Sequence, residues 1–150
     1  SRDRRTAVHC VQPEGNDTIA TPLRRGDDKA RDVACSTRIS GLQVASVVDG
    51  DSAINECRPT GGTGHLVTDE QVWDIQQELA REEGIFCEPA GAVSIAGALN
   101  AAAEGIVPKN ASMVCLITGV GFKDEDSVTR MLQNVTCTLI EMDQLRYEVD

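Results

Sequence analysis

One helix-length segment of small side chains, residues 89–103, constrains the fold of this chain more than any other feature. A proline begins the segment, and the N–H that proline lacks would be unpaired at that position anyway. Gly105 and Pro108 mark its end. A helix without a polar face is typically buried, and small side chains let it approach its neighbour closely. We therefore expect this helix to pack at short range against a sheet.

Short apolar segments alternate with helical patterns along the chain. Thr68 and Gln71 form a capping box that begins one helix, which Gly84 ends. Asp124 caps a last helix that runs to about Asn134. Weaker helices are expected over 19–23 and 51–57, and strands over 6–12, 64–67, 85–87, 113–117 and 136–140. This alternation is typical of βαβ units and predicts an α/β fold with a parallel or mostly parallel sheet flanked by helices.

The size and charge of the chain bound its function. Its 150 residues predict a single α/β domain over 1–150. Fourteen basic against 24 acidic residues give a net charge of −10, which offers no electrostatic footprint for a nucleic-acid partner. No apolar run approaches the roughly 20 residues that cross a bilayer, so no membrane partner is expected.

The six cysteines are widely spread and contain no C-x-x-C pair. Cys10, Cys87 and Cys115 lie in apolar segments, where a thiol behaves as a small hydrophobic group. We therefore favour reduced, buried thiols and a cytoplasmic location over disulfides. The two histidines, His9 and His65, are far apart in sequence, so no metal site is predicted.

Ligands of parallel sheets bind beyond the carboxyl ends of the strands, which here are followed by residues 13–15, 87–89 and 118–121. Gly119 and Gly121 would let backbone N–H groups approach a ligand, or they simply form a tight turn. The acidic residues 124–126 would repel phosphate and weaken the case for a nucleotide-binding module. Glu88 has two interpretations as well, because it either caps a helix or faces a ligand.

Four motifs occur in the order and spacing of the second half of threonine synthases. They are VQPEG at 11–15, ISGLQV at 39–44 followed by DGD at 49–51, EGIFCEPAGA at 83–92, and LITGVGFKD at 116–124. Over residues 6–133 the chain therefore resembles the C-terminal half of a threonine synthase-like enzyme. Relatives such as threonine dehydratase share parts of the pattern, and the closing motif favours threonine synthase.

The resemblance implies a pyridoxal 5′-phosphate cofactor and a tryptophan-synthase-β type of fold, in which this chain is part of a larger three-layer architecture. The family reaction, that of a lyase, converts O-phosphohomoserine to threonine and phosphate. Thr118 matches the hydroxyl that faces the pyridine nitrogen, and Gly119 belongs to the same motif. Glu88 matches the Glu-Pro motif near the cofactor ring, and Gly41 lies in a segment that approaches the active site. A neutral hydroxyl leaves the pyridine nitrogen largely unprotonated, so the cofactor withdraws electrons from the substrate less strongly than it would with a protonated nitrogen.

The lysines are the main departure from the family. Its Schiff-base lysine lies in the N-terminal half, and Lys29, Lys109 and Lys123 do not match that motif. We therefore assign no catalytic residue here and expect no covalent cofactor binding or activity from this chain alone. The expected partners are a separate N-terminal half chain or further copies in a homo-oligomer, with a small amino-acid substrate in the complete enzyme. The alternative is a non-catalytic binding or interaction module that reuses half of the fold.

Overall fold

The computed structural model describes residues 6–136 and 138–141 of the chain. Two strands, β1 (Cys10–Pro13) and β2 (Gly64–Val67), form a parallel pair in which Cys10 lies opposite Gly64 and Pro13 opposite Val67. The expected parallel sheet is therefore present, although in the described residues it has two strands only. The sequence predicts that the first strand begins at residue 6, but β1 begins at Cys10. The first hydrogen bond between the two strand segments is the one that the Cys10 N–H donates to the Thr63 carbonyl at 3.1 Å.

The described residues also form five α-helices. They are α1 (Ala20–Arg25), α2 (Gly50–Cys57), α3 (Asp69–Glu82), α4 (Pro89–Ala103) and α5 (Glu125–Leu132). The expected capping box begins α3, since the Gln71 N–H donates to Thr68 Oγ1 at 3.1 Å and the Thr68 N–H donates to Gln71 Oε1 at 3.0 Å. The Asp124 carboxylate accepts from the Ser127 N–H at 2.8 Å and so caps α5 as expected. These helices are specified by short-range signals.

The small residues of α4 bring the helix close to the sheet, as the sequence predicts. α4 packs against α3 and both strands. Ala92 and Ala96 are buried in the main hydrophobic core, which also includes Ile39, Val67, Val72, Leu79 and Cys87. Gly97 lies directly over the side chain of Val11, where a Cβ atom would collide with it. The glycine is therefore required by the short distance between helix and strand.

Two expected strands, at 85–87 and 113–117, do not form in the described residues, and these predictions were wrong. Residues 85–87 contribute one antiparallel bridge, between Cys87 and Val120. Residues 113–117 have no regular structure, with Val114 90% and Leu116 76% exposed. In the described part of the chain no strand lies beside this segment, so a pattern suited to a strand has no ladder to join. Of the expected strand at 136–140, the residues other than Cys137 are irregular, and Cys137 lies outside the described residues.

No helix in the described residues has the length and apolar character needed to cross a membrane. The five described cysteines are free thiols. Burial, together with the nearby Cys57, raises the pKa of the Cys10 thiol to about 12.

Candidate cofactor site

The first turn of α4 carries Glu88 at its N-cap position. The Glu88 side chain makes no capping hydrogen bond, so the purely capping interpretation is wrong. Its carboxylate turns instead towards Lys123, whose Nζ lies 3.2 Å from Oε2. The Glu88 side chain is 14% exposed and that of Lys123 is 61% exposed. The pair therefore joins a mostly buried carboxylate to a cation at the surface.

The turn that contains Thr118 and Gly119 wraps the same end of α4. The Glu88 N–H donates to the Gly119 carbonyl at 3.4 Å, and the Gly121 N–H donates to the Phe86 carbonyl at 3.1 Å. Gly119 has a φ of 61°, and a Cβ atom there would collide with the Glu88 carboxylate. Both the backbone conformation and the available space thus favour glycine at this position.

Gly41 reaches the same region from another loop. Its φ is 84°, and a Cβ atom built on it would lie 3.7 Å from Cβ of Ala90, in the first turn of α4. On the other side of that turn, a Cβ atom at Gly91 would collide with the Thr118 carbonyl. The structure therefore brings Gly41, Glu88, Thr118 and Gly119 to one end of α4.

The loop that carries Gly41 is anchored to the start of α3. Thr37 donates its hydroxyl to Asp69 Oδ1 at 2.5 Å, and the Arg38 N–H donates to Asp69 Oδ2 at 2.7 Å. Gln43 Nε2 closes the loop by donating to the Thr37 carbonyl at 3.0 Å. Sequence reasoning missed Asp69, which looks like an ordinary acidic residue in the first turn of a helix.

A groove of about 620 Å³ adjoins the Glu88–Lys123 pair and is lined by Arg38, Trp73, Lys123, Arg130 and the first turn of α5. The guanidinium carbons of Arg38 and Arg130 lie 4.6 Å and 4.4 Å from the centroid of the Trp73 ring. Such cation–π contacts fix the wall of the groove. No sequence pattern joins these three residues, although the only tryptophan in a chain poor in aromatic residues was a usable signal.

The family model for pyridoxal-phosphate dependent enzymes matches residues 1–119, a range that includes Gly41, Glu88, Thr118 and Gly119. The chain belongs to this family. It is 35% identical to the threonine synthase of Methanocaldococcus jannaschii over 124 residues, which are 80% of this chain and 30% of that protein. It is 31% identical to the threonine synthase of Methanosarcina acetivorans over 137 residues, which are 91% of this chain and 34% of that protein. This pyridoxal-phosphate family member thus spans about a third of the length of these relatives.

Two solved structures share the fold. A lysine-to-alanine mutant of O-ureido-L-serine synthase, with O-ureido-L-serine bound, matches with a TM-score of 0.55 at 20% identity, over 93% of this chain and 37% of that one. A solved threonine deaminase matches with a TM-score of 0.50 at 22% identity, over 68% of this chain and 39% of that one. The α/β class of this pyridoxal-phosphate family member is thereby confirmed.

The Thr118 hydroxyl at the end of α4 has the chemistry to form a hydrogen bond with a pyridine nitrogen. Thr118 is exposed, and in the described part of the chain its hydroxyl makes no hydrogen bond, so it is free to meet a ring nitrogen. Of the three lysines, Lys123 is held by Glu88. Lys29 is exposed in the turn after α1, and Lys109 follows the far end of α4. No lysine in this family member combines a position at the site with an unpaired amine.

Proposed function

We propose that this chain builds the pyridine-nitrogen edge of the cofactor site in a threonine synthase-like enzyme. The proposed reaction converts O-phosphohomoserine to threonine and phosphate. Similarity to threonine synthases supports this choice over other members of the family. The observation that carries the proposal is the convergence of Thr118 and Glu88 at one end of α4, with the threonine hydroxyl unpaired in the described residues.

Each residue has a distinct proposed part. The Thr118 hydroxyl donates to or accepts from the ring nitrogen as a neutral group. Gly119 lets the backbone of the turn approach the ring, and Gly41 lets its loop lie against the first turn of α4. Glu88 holds Lys123 beside this turn, because its carboxylate forms an ion pair with the lysine amine. The cofactor supplies an electron sink when bound.

We propose that the lysine that bonds the cofactor comes from a different polypeptide segment. Lys109 lies beyond the C-terminal end of α4, a helix that is about 22 Å long at 1.5 Å per residue. Lys29 lies in a charged, exposed turn. Lys123 is close enough, but its amine is paired with Glu88. This distribution supports the proposal that the chain is inactive alone.

The exposed segment 113–117 supports a partner that supplies the missing part. Val114 and Leu116 are far more exposed than Met113 and Ile117, which are 47% and 36% exposed. Alternating exposure of this kind is typical of a β-strand, and a partner strand could pair with this segment. We favour a separate chain equivalent to the N-terminal half of the relatives, with a homo-oligomer as the other arrangement. The free thiols support a reducing, cytoplasmic location.

A second candidate function is a non-catalytic interaction module. The same exposed apolar segment favours it, because a binding surface needs no lysine at the cofactor. The two functions differ in their response to pyridoxal phosphate, since only a cofactor site requires the Thr118 hydroxyl.

The test is titration of the purified chain with pyridoxal phosphate, followed by borohydride reduction and mass mapping of the lysines. We expect non-covalent binding that weakens up to about tenfold in Thr118→Val, the upper end of the effect of losing one ligand hydrogen bond. Thr129→Val, which alters an exposed threonine on α5, is the control. A specific, stoichiometric lysine adduct with turnover of O-phosphohomoserine would overturn the inactivity. Binding that is equal in both variants would leave the interaction module as the better proposal.

A further inference from the structure

One polar side chain lies within the apolar face of α3. Val72, Ile75 and Leu79 form this face with Gln76, whose side chain is fully buried at 0% exposure. Burial of an amide away from water costs free energy unless hydrogen bonds replace those to water. A leucine would fill a similar volume at this position without that cost, so the contacts of Gln76 must explain its presence.

The Gln76 amide joins two separate segments of the chain. Its Nε2 donates to the Cys87 carbonyl at 2.9 Å and to Ser127 Oγ at 3.1 Å. The Ser127 hydroxyl in turn donates to the Asp124 carbonyl at 2.9 Å. These hydrogen bonds fix which end of the Gln76 amide carries the nitrogen. The Cys87 carbonyl can only accept, and the Ser127 hydroxyl proton is donated to Asp124, so both groups must face the Gln76 NH₂.

The two segments are those that carry the ion pair of the candidate site. Cys87 immediately precedes Glu88, and Asp124 immediately follows Lys123. Gln76 therefore links the backbone beside the carboxylate to the backbone beside the amine, and it does so from the core side of both. The Gln76 Oε1 atom is buried without a partner in the described residues. An unpaired buried oxygen destabilises the fold, so its presence in Gln76 calls for an explanation. The link that the Gln76 amide makes between the two segments provides one.

We propose that Gln76 is the positioning residue of the Glu88–Lys123 pair. It sets the separation between the turn before α4 and the turn before α5, and so keeps the Lys123 amine against Glu88 beside Gly119. The inference rests on the proposed function only in giving that pair a place in the cofactor site. The geometry that Gln76 controls exists without any cofactor.

The lysines themselves provide the test. Trace acetylation of the folded chain with acetic anhydride, read by mass spectrometry, gives the reactivity of Lys123 relative to Lys29 and Lys109 in the same molecule. An amine held by a carboxylate is less nucleophilic than a free one, and Glu88→Gln defines the ratio without the pair. In Gln76→Leu we expect the Lys123 ratio to rise about two- to fivefold towards that value, a size typical of a partly exposed ion pair.

The matched control is Gln77→Leu, the same change at the neighbouring, exposed position of α3. Its Lys123 ratio should equal that of the wild type. A Gln76→Leu chain that keeps its circular dichroism and an unchanged Lys123 ratio would overturn the proposal. If Gln76→Leu does not fold, Ser127→Ala, which removes one side of the link, decides in the same way. The assay contains no pyridoxal phosphate, so failure of the proposed cofactor site leaves its result unaffected.

Discussion

The Glu88 carboxylate lies between the amine of Lys123, 3.2 Å from Oε2, and the backbone of Gly119, where no Cβ atom has room. The closing motif thus surrounds this carboxylate with a cation on one side and a bare backbone on the other. A conventional helix cap would instead direct the carboxylate to the backbone N–H groups of α4. The geometry connects two motifs that are well separated in the sequence and gives Glu88 a place facing the turn at Thr118.

Replacement of Gly119 by alanine should destabilise the chain through two separable effects. Gly84 has a similar positive φ, 66° against 61°, but a Cβ atom there meets nothing within 4 Å. Gly84→Ala should therefore cost about 1 kcal/mol of backbone strain alone. Gly119→Ala should cost about 0.2–1 kcal/mol more, because the new methyl group pushes the carboxylate end of the Glu88 side chain away from Lys123. Urea unfolding of both variants measures the difference, and equal losses would contradict the close contact.

The His9–His65 pair should make stability depend on pH. His65 is 3% exposed, and its Nε2 lies 2.9 Å from Nδ1 of His9. Burial, and then the neighbouring His9, lower the pKa of His65 below its usual 6.5. The unfolded chain binds the proton more readily, so stability is complete above pH 6.5 and falls as the pH drops below it.

Urea unfolding at intervals from pH 8 to pH 5 tests this. The wild type should lose stability between pH 6.5 and 5, and His65→Gln should show a smaller loss over the same interval. Parallel curves for the two chains would exclude His65 as the source of the pH dependence. His9→Gln keeps the buried imidazole but removes the second cause of its lowered pKa, so its loss of stability should lie between those of the wild type and His65→Gln.

Asp17 should also make stability depend on pH, but in a more acidic range than His65. Burial by itself would raise its pKa, but hydrogen bonds from Arg31 and Thr21 outweigh burial and hold the pKa below 3.8. The contribution is therefore present above about pH 4 and is lost as the pH falls below it. Asp17→Asn should cost about 1–3 kcal/mol at pH 7 and progressively less as the pH falls below about 4.

Asp28→Asn is the control for that experiment. Asp28 also pairs with an arginine, Arg58, but its side chain is 84% exposed, so the change should have a small effect at either pH. An Asp17→Asn chain as stable as Asp28→Asn at pH 7 would refute the assignment.

The segment 113–117 should govern association of the free chain. A Val114→Lys, Leu116→Lys double variant places two charges on its most exposed apolar positions and should shift sedimentation towards the monomer. Val48→Lys alters a residue that is 99% exposed outside this segment and should leave association unchanged. A wild-type chain that stays monomeric at high concentration would count against the proposed partner surface.

Sequence reasoning succeeded where the signal is short-range. The capping residues Thr68 and Asp124 and the small residues of α4 each specify structure within a few positions, and all three helices form as expected. It failed at 113–117, because an apolar run becomes a strand only beside another strand, and the described residues provide none. The Arg38–Trp73–Arg130 contacts were missed for a related reason, since three separate segments must fold before those side chains meet.

The parallel pairing of β1 with β2 also has a consequence for the folding rate. It brings together segments whose contacting histidines, His9 and His65, are 56 positions apart. The packing of α3 on α4 joins neighbouring helices and requires only a short loop to close. Because the entropy of closing a loop must be lost before the distant contact forms, we expect the α3–α4 hairpin to assemble first and the strand pair to follow. Glu88, in the loop between those two helices, would then acquire its surroundings early, and the turn at Thr118 would dock onto them afterwards.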